Sequence, residues 1–312
     1  MKRKALFKKS WGLLKSTFTE FDEDNAIKLS ASLSYYTIFS LPPLCIIILY
    51  ICGIFFGKEA VSGQFFGQIN GMVGNDAAIQ IQETIKNIEL SNSNVFAAVF
   101  GGIMLLIGAS GVFAEIQSSI NFIWGLKAKP NKGIMKFVKN RLMSFSMIAA
   151  VGFLLLVSLT VNTVMDILNA RLVMYFPDAT VYLFYILNIL ILFASTTILF
   201  AIIFKTLPDG DIAWKDALIG SSFTSVFFMI GKFAIGFYLG NSTVATVYGA
   251  AGSVVIILVW VYYSAIILYF GAEFTKVYAR MYGKKIIPND YAVEIQKEIF
   301  EIENVENNSD NK

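Results

Sequence analysis

Lys232 is a basic side chain set deep inside an apolar run, between Gly231 and Phe233 in the stretch Trp214–Leu239. An ammonium at membrane depth costs ~2.5–3.5 kcal/mol on insertion scales, so such a residue faces a cavity or a partner, or snorkels to the interface. Eighteen residues after Trp214 it lies past the midplane, and both readings stand. Its conceivable acid partners, Asp166 and Glu273, fall near the ends of their own apolar runs, where an interfacial position is expected. A second feature is the pair Pro42–Pro43 inside Leu29–Phe56, a run of 28 residues without a charge. Proline lacks an amide hydrogen, so the carbonyls of Ile38 and Phe39 lose their partners four residues on. In hydrocarbon another donor must satisfy them, and Thr37 and Ser40 are close by. Ser30, Ser32, Ser34, Tyr35 and Tyr36 make the half before the prolines polar, which predicts that it faces protein or a wet cavity. A simple proline kink in a packed helix is the competing reading. Tyr35, Tyr36, Ser40, Pro42, Pro43, Lys232, Tyr248 and Gly249 are the resulting candidates for a cavity lining or gate.

Other chemistry is excluded by what the chain lacks. It contains no histidine, which removes imidazole-ligated zinc, Ser-His-Asp and Cys-His catalysis, and imidazole proton relays. Its two cysteines, Cys45 and Cys52, are seven residues apart on one predicted helix, about 10 Å along the axis, too far to pair. There is no P-loop, dinucleotide fingerprint, CxxC pair or HExxH motif. Intramembrane aspartyl catalysis needs two acids at matching depth, which the apolar runs do not offer. No enzyme activity, cofactor or metal is expected.

The elements that would carry these residues follow from hydropathy. Hydrophobic residues make up 56% and charged residues 15% of the 312, with a mean hydropathy of +0.64. Soluble domains average roughly 45–50% apolar and about 25% charged, so this is an integral membrane protein. A bilayer core of ~30 Å takes ~20 apolar residues at helical rise. Six such spans are predicted, at about 29–56, 95–116, 142–167, 181–204, 214–239 and 247–278, giving an all-α polytopic fold over 29–280. The segment 57–94 reads as amphipathic and extracytoplasmic. Residues 1–28 form a basic helix whose Phe7, Trp11, Leu14, Phe18 and Phe21 share one face, predicted to lie on a membrane surface. Asp22, Glu23 and Asp24 then favour the N-terminus of the next helix. Glu115 is expected at an interface. Residues 281–312 read as an acidic cytoplasmic tail, a helix fraying into disorder.

Positive charge sets the orientation. Seven lysines and arginines lie in the N-terminal segment, six in the connector Lys127–Arg141, two at Lys205 and Lys215, and six from Lys276 onward. Lys58, Lys86 and Arg171 lie on the opposite side. This imbalance puts both termini in the cytoplasm. Six spans then make two oppositely oriented halves of three, as in many transporters, although the halves do not align residue by residue.

The order of features resembles the YihY/BrkB family of bacterial inner-membrane proteins, once labelled ribonuclease BN. The matching residues are Ala31–Pro43 (ASLSYYTIFSLPP), Glu115 with Asn121 and Trp124, Leu207-Pro208, Trp214 with Gly220, Tyr248-Gly249 to Ser253, Trp260, and Gly271-Ala272-Glu273. They run from about residue 10 to 283. The resemblance implies a six-helix inner-membrane protein, a transporter in one reading, with an unsettled substrate and a misassigned nuclease label. The residues agree, since a metal-dependent nuclease needs a carboxylate or histidine cluster and a basic channel. A transporter or lipid-handling protein and a non-transporting envelope scaffold are the two functional expectations. Membrane lipids and an unidentified small molecule or lipid are the expected partners, nucleic acid is not one, and oligomeric state is left open.

Overall fold

Two apolar runs end in polar turns that must find partners at the same end of the molecule, and this requirement organises the helices. The computed structural model describes residues 2–56, 95–129, 177–240 and 252–295, with positions 66–67, 78–79, 82–83 and 147. The expected span 142–167, apart from Met147, most of 57–94, the candidates Tyr248 and Gly249, and residues 296–312 lie outside the described residues.

The described chain is mostly helical. Helix α1 is Lys2–Glu23, α2 Ala26–Phe56, α3 Val95–Ile123, α4 Pro177–Thr206, α5 Trp214–Gly240 and α6 Gly252–Tyr282. Stretches within four of them, Ala26–Ile47, Ile186–Thr206, Trp214–Ile235 and Val254–Tyr282, are long and apolar enough to cross a membrane. Helix α2 packs on α3 and α6, and α5 packs on α4 and α6. Buried side chains such as Phe113, Ile120, Phe204, Leu268 and Ala272 join these helices into one core.

Small residues set how closely the helices approach. A Cβ on Gly220 would overlap Thr275, and one on Gly271 would overlap Thr224. In a membrane, where lipid is as apolar as leucine, such close backbone contact is a main source of helix association.

The prolines do not break α2. The helix is continuous through Pro42 and Pro43, both half-buried, and α3 presents glycines to Ser40 and Pro43. A Cβ on Gly108 would lie 3.0 Å from Pro43 Cγ, and one on Gly111 would lie 2.9 Å from Ser40 Oγ. Thr37 does not cap the freed carbonyls, since its hydroxyl donates to the Leu33 carbonyl at 2.7 Å. Ser30 likewise donates to Ala26 O, at 2.8 Å.

Helix α1 does more than rest on a surface. Leu13, Thr17 and Phe21 are buried, with Leu13 packed among Phe274 and Val277 of α6. The Phe18 and Phe21 rings sit 4.8 and 5.5 Å from the Phe270 ring. Trp11 and Phe18 are both 63% exposed, so the aromatic stripe is shared between a protein contact and the outside. Asn25, at φ 51°, turns the chain into α2, a conformation asparagine adopts more readily than most residues.

Residues 283–295 correct the expectation of a fraying helix. Strand β3 (Ile287–Pro288) pairs antiparallel with β2 (Gly210–Asp211), and β4 (Ala292–Glu294) pairs with β1 (Leu126–Ala128). Gly125, at φ +66°, ends α3 in the left-handed conformation typical of a helix C-cap, and its carbonyl accepts from Ile295 N at 2.7 Å. The segment therefore forms a strap across the ends of α3, α4 and α5. Backbone groups in the two loops take sheet partners because no helix continues there to satisfy them.

Candidate functional site

The same spacing rule that buries apolar faces also lines up charge on α6. Tyr269, Glu273, Lys276 and Arg280 recur at four, three and four, so they form one stripe on an otherwise apolar helix. Glu20 and Asp24, four apart where α1 ends, meet that stripe. Lys276 Nζ lies 3.1 Å from Glu20 Oε2, 3.2 Å from Asp24 Oδ2 and 3.3 Å from Glu273 Oε2. Arg280 pairs with Glu20. Glu273 is fully buried, and its Oε1 has no hydrogen-bond partner among the described residues. One turn deeper, the buried hydroxyls of Tyr269 and Ser119 face each other, with no other hydrogen-bond partner among the described residues. Glu115, on the same face of α3 as Ser119, accepts from Ser32 of α2 at 2.6 Å.

A second polar centre sits beneath the strap. Asp209, in the loop between α4 and α5, is fully buried. Gln117 Nε2 donates to its Oδ1 and Asn121 Nδ2 to its Oδ2, each at 2.9 Å. Asn121 Oδ1 accepts the Asp209 amide at 2.7 Å, so one carboxamide grips both ends of the residue. Asn289 N of the strap donates to the Asp209 carbonyl at 3.0 Å. Nearby, Trp124 Nε1 donates to Ala272 O at 3.1 Å, tying α3 to the stripe helix.

Several sequence expectations change against this geometry. Glu273 is enclosed by protein, and its ion-pair partner is Lys276, not Lys232. The glycine contacts fix α5 and α6 as antiparallel, which sets Lys232 near the level of Tyr263, about 15 Å along the axis from Glu273. Lys232 itself is half-buried, beside the 83% exposed Phe233. Asp22 and Glu23 lie on the C-terminal turn of α1, a few residues before α2 begins at Ala26, and Asp24 between the two helices pairs with Lys276. Tyr35 and Tyr36 are exposed, so the expected enclosure holds for Ser30, Ser34, Thr37 and Ser40 but not for the two tyrosines. Ser40 and Pro43 meet α3, Pro42 is half-buried, and Cys45 is buried.

The polar stripe on α6 was within reach of sequence reasoning, since its spacing is regular. The Asp209 clamp was not, because its members are 88 and 92 residues apart.

Comparison with known proteins adds what geometry does not. The family described as Virulence factor BrkB matches residues 17–292. The chain belongs to the BrkB family. That match takes in α1 from Thr17, every later described helix and most of the strap. Among relatives of this BrkB chain, a UPF0761 membrane protein of Saccharophagus degradans is 27% identical over 262 residues, 84% of this chain and 58% of its own length. One from Verminephrobacter eiseniae is 26% identical over 272 residues, 85% of this chain and 62% of its own. One from Acinetobacter baylyi is 24% identical over 289 residues, 92% and 67%. The chain thus spans about three fifths of the length of the first two. No solved structure matches. This BrkB chain is a membrane protein.

Proposed function

We propose that this BrkB chain is a six-span protein of the bacterial cytoplasmic membrane, both termini inside, that moves a small molecule or lipid past a gate at its cytoplasmic end. The observation that carries the reading is Glu273: a carboxylate with no exposed surface, on a helix apolar enough to cross a membrane. Ionisable groups in such helices are costly and cluster along substrate or ion paths.

Chain direction supports the topology. Helices α3 and α4 run in the same direction, both ending at the strap, as the six-span topology asks of its second and fourth spans. The non-enzymatic character rests on the absence of histidine and of catalytic motifs. Lipids and the transported molecule are the partners on this reading, and nucleic acid is not.

A specific observation favours a second reading, that of an envelope scaffold. The Gly220–Thr275 and Gly271–Thr224 contacts leave α5 and α6 closely apposed, which suits a static bundle. Reconstituted flux and lipid-scrambling assays separate the two. Wild type moves cargo, Glu273→Gln slows it at least tenfold, and Pro42→Ala, Pro43→Ala and Lys232→Ala test the membrane-depth candidates. If wild type shows neither flux nor scrambling above empty vesicles, the scaffold reading replaces transport.

A further inference from the structure

Two neighbouring helices carry one charged residue each. In α2 it is Lys28, and in α3 it is Glu115. Ionisable groups on such apolar helices normally pair with one another or serve a cavity or ligand. Lys28 is exposed and Glu115 half-buried, and no ion pair reaches either among the described residues. Glu115 accepts from Ser32 at 2.6 Å, and a carboxylate has further acceptor positions to offer.

Both residues border one groove. Ser32 meets Glu115, Ser40 meets Gly111 and Pro43 meets Gly108, so α2 and α3 run antiparallel. Tyr36, midway between Ser32 and Ser40, therefore sits at the level of α3 between Gly111 and Glu115. Lys28, Ser32, Tyr35 and Phe39 follow one another at four, three and four, which puts them on one face of α2 with the lysine nearest the helix start. A second, independent observation lies in the rings of this face. Tyr35, Tyr36 and Phe39 are all exposed, and the Tyr35 ring lies 5.9 Å from that of Tyr36 and 5.0 Å from that of Phe39, edge to face. Exposed aromatic rings beside a carboxylate are the parts of an ammonium site, because the ring quadrupole attracts a cation. Ile103 and Ile107, also exposed, continue this side of α3 inward, so the groove opens toward lipid.

We propose that the α2–α3 groove binds the zwitterionic headgroup of a phospholipid, its ammonium between Glu115 and the Tyr35, Tyr36 and Phe39 rings and its phosphate on Lys28. The charges match in sign and number: one ammonium for the carboxylate, one phosphate for the lysine. Lys28 lies one turn nearer the helix start than Ser32, so the headgroup enters amine first with its phosphate behind. A headgroup with phosphate but no nitrogen leaves Glu115 unmatched. The inference names the cargo class of the transport reading and rests on it for the fate of the lipid, not for its binding.

The test is native mass spectrometry of the full chain in maltoside detergent, with equal amounts of phosphatidylethanolamine and phosphatidylglycerol. Wild type retains the ethanolamine lipid over the glycerol lipid by about tenfold. Glu115→Gln, whose carbonyl can still accept from Ser32, and Tyr36→Leu bring the two lipids to parity. Lys28→Gln weakens retention of both, since both carry phosphate. Phe233→Leu, on the exposed side of α5, leaves the preference as it is. Thermal melting checks that each variant is folded; should Glu115→Gln fail to fold, Tyr36→Leu and Tyr35→Leu carry the test. Parity in wild type, an unchanged preference in the folded groove variants, or displacement of the lipid by free ethanolamine at equal concentration overturns the proposal. Preference without flux or scrambling defeats the transport reading alone, and scrambling without preference defeats this inference alone.

Discussion

Thr275 packs against the bare backbone of Gly220, and one turn away the arrangement is mirrored, with Thr224 of α5 against Gly271 of α6. Each threonine hydroxyl donates back to the carbonyl of the glycine four residues earlier on its own helix, Thr224 to Gly220 at 2.7 Å and Thr275 to Gly271 at 2.6 Å. The contact is therefore reciprocal: on each helix one glycine receives its own threonine's hydrogen bond and the partner's side chain.

Gly220→Ala inserts a methyl where no space exists. Overpacking of this kind costs roughly 1–3 kcal/mol, and the melting temperature in detergent falls accordingly. Gly12→Ala on α1, where nothing lies within 4 Å, is neutral or stabilising by up to ~1 kcal/mol through helix propensity. Equal effects at the two sites would refute the packing argument.

Asp209→Asn turns an acceptor into a donor facing the amide groups of Gln117 and Asn121. Asn121 cannot flip to compensate, because its Oδ1 already holds the Asp209 amide. At least one buried donor is left unpaired, a loss of about 1–3 kcal/mol readable by thermal melting.

Asp216→Ala releases the strap. The carboxylate accepts from Lys284 N and lies against Gly283, where the chain leaves α6. Without it, hydrogen exchange at Lys129, Asn289 and Ile295 rises by about tenfold or more, reporting local opening of the two short sheets. Unchanged exchange there means the strap is held by its strands alone.

Phe270→Ala removes the ring shared by Phe18 and Phe21 of α1 and Phe223 and Phe227 of α5. Large-to-small changes of this type cost roughly 3–5 kcal/mol in buried sites, and here α1 loses one of its anchors on α6. Trypsin cleavage after Lys15 then proceeds faster than in wild type, while the rest of the bundle persists.

Hydropathy and charge made much of the bundle legible from the chain alone. Helices cover all of the expected runs at 29–56, 95–116, 181–204 and 214–239, and 247–278 from residue 252 onward, because a bilayer imposes length and apolarity on each segment separately. A polar run does not say which of its side chains face protein. On α2 the serines at 30, 34 and 40 turn to protein while the two tyrosines between them turn out.

The sequence by itself determined a basic, histidine-free membrane chain of apolar helices, since those properties are sums over neighbouring residues. Only the tertiary structure decided that α2 runs unbroken past its prolines, that residues 283–295 strap the loops, and that Glu273 meets Lys276 and Asp24 inside the fold. Those outcomes depend on which distant groups arrive opposite one another: glycines opposite Ser40 and Pro43, open loop backbone opposite the strap, and an ammonium among three carboxylates. No local pattern encodes such meetings.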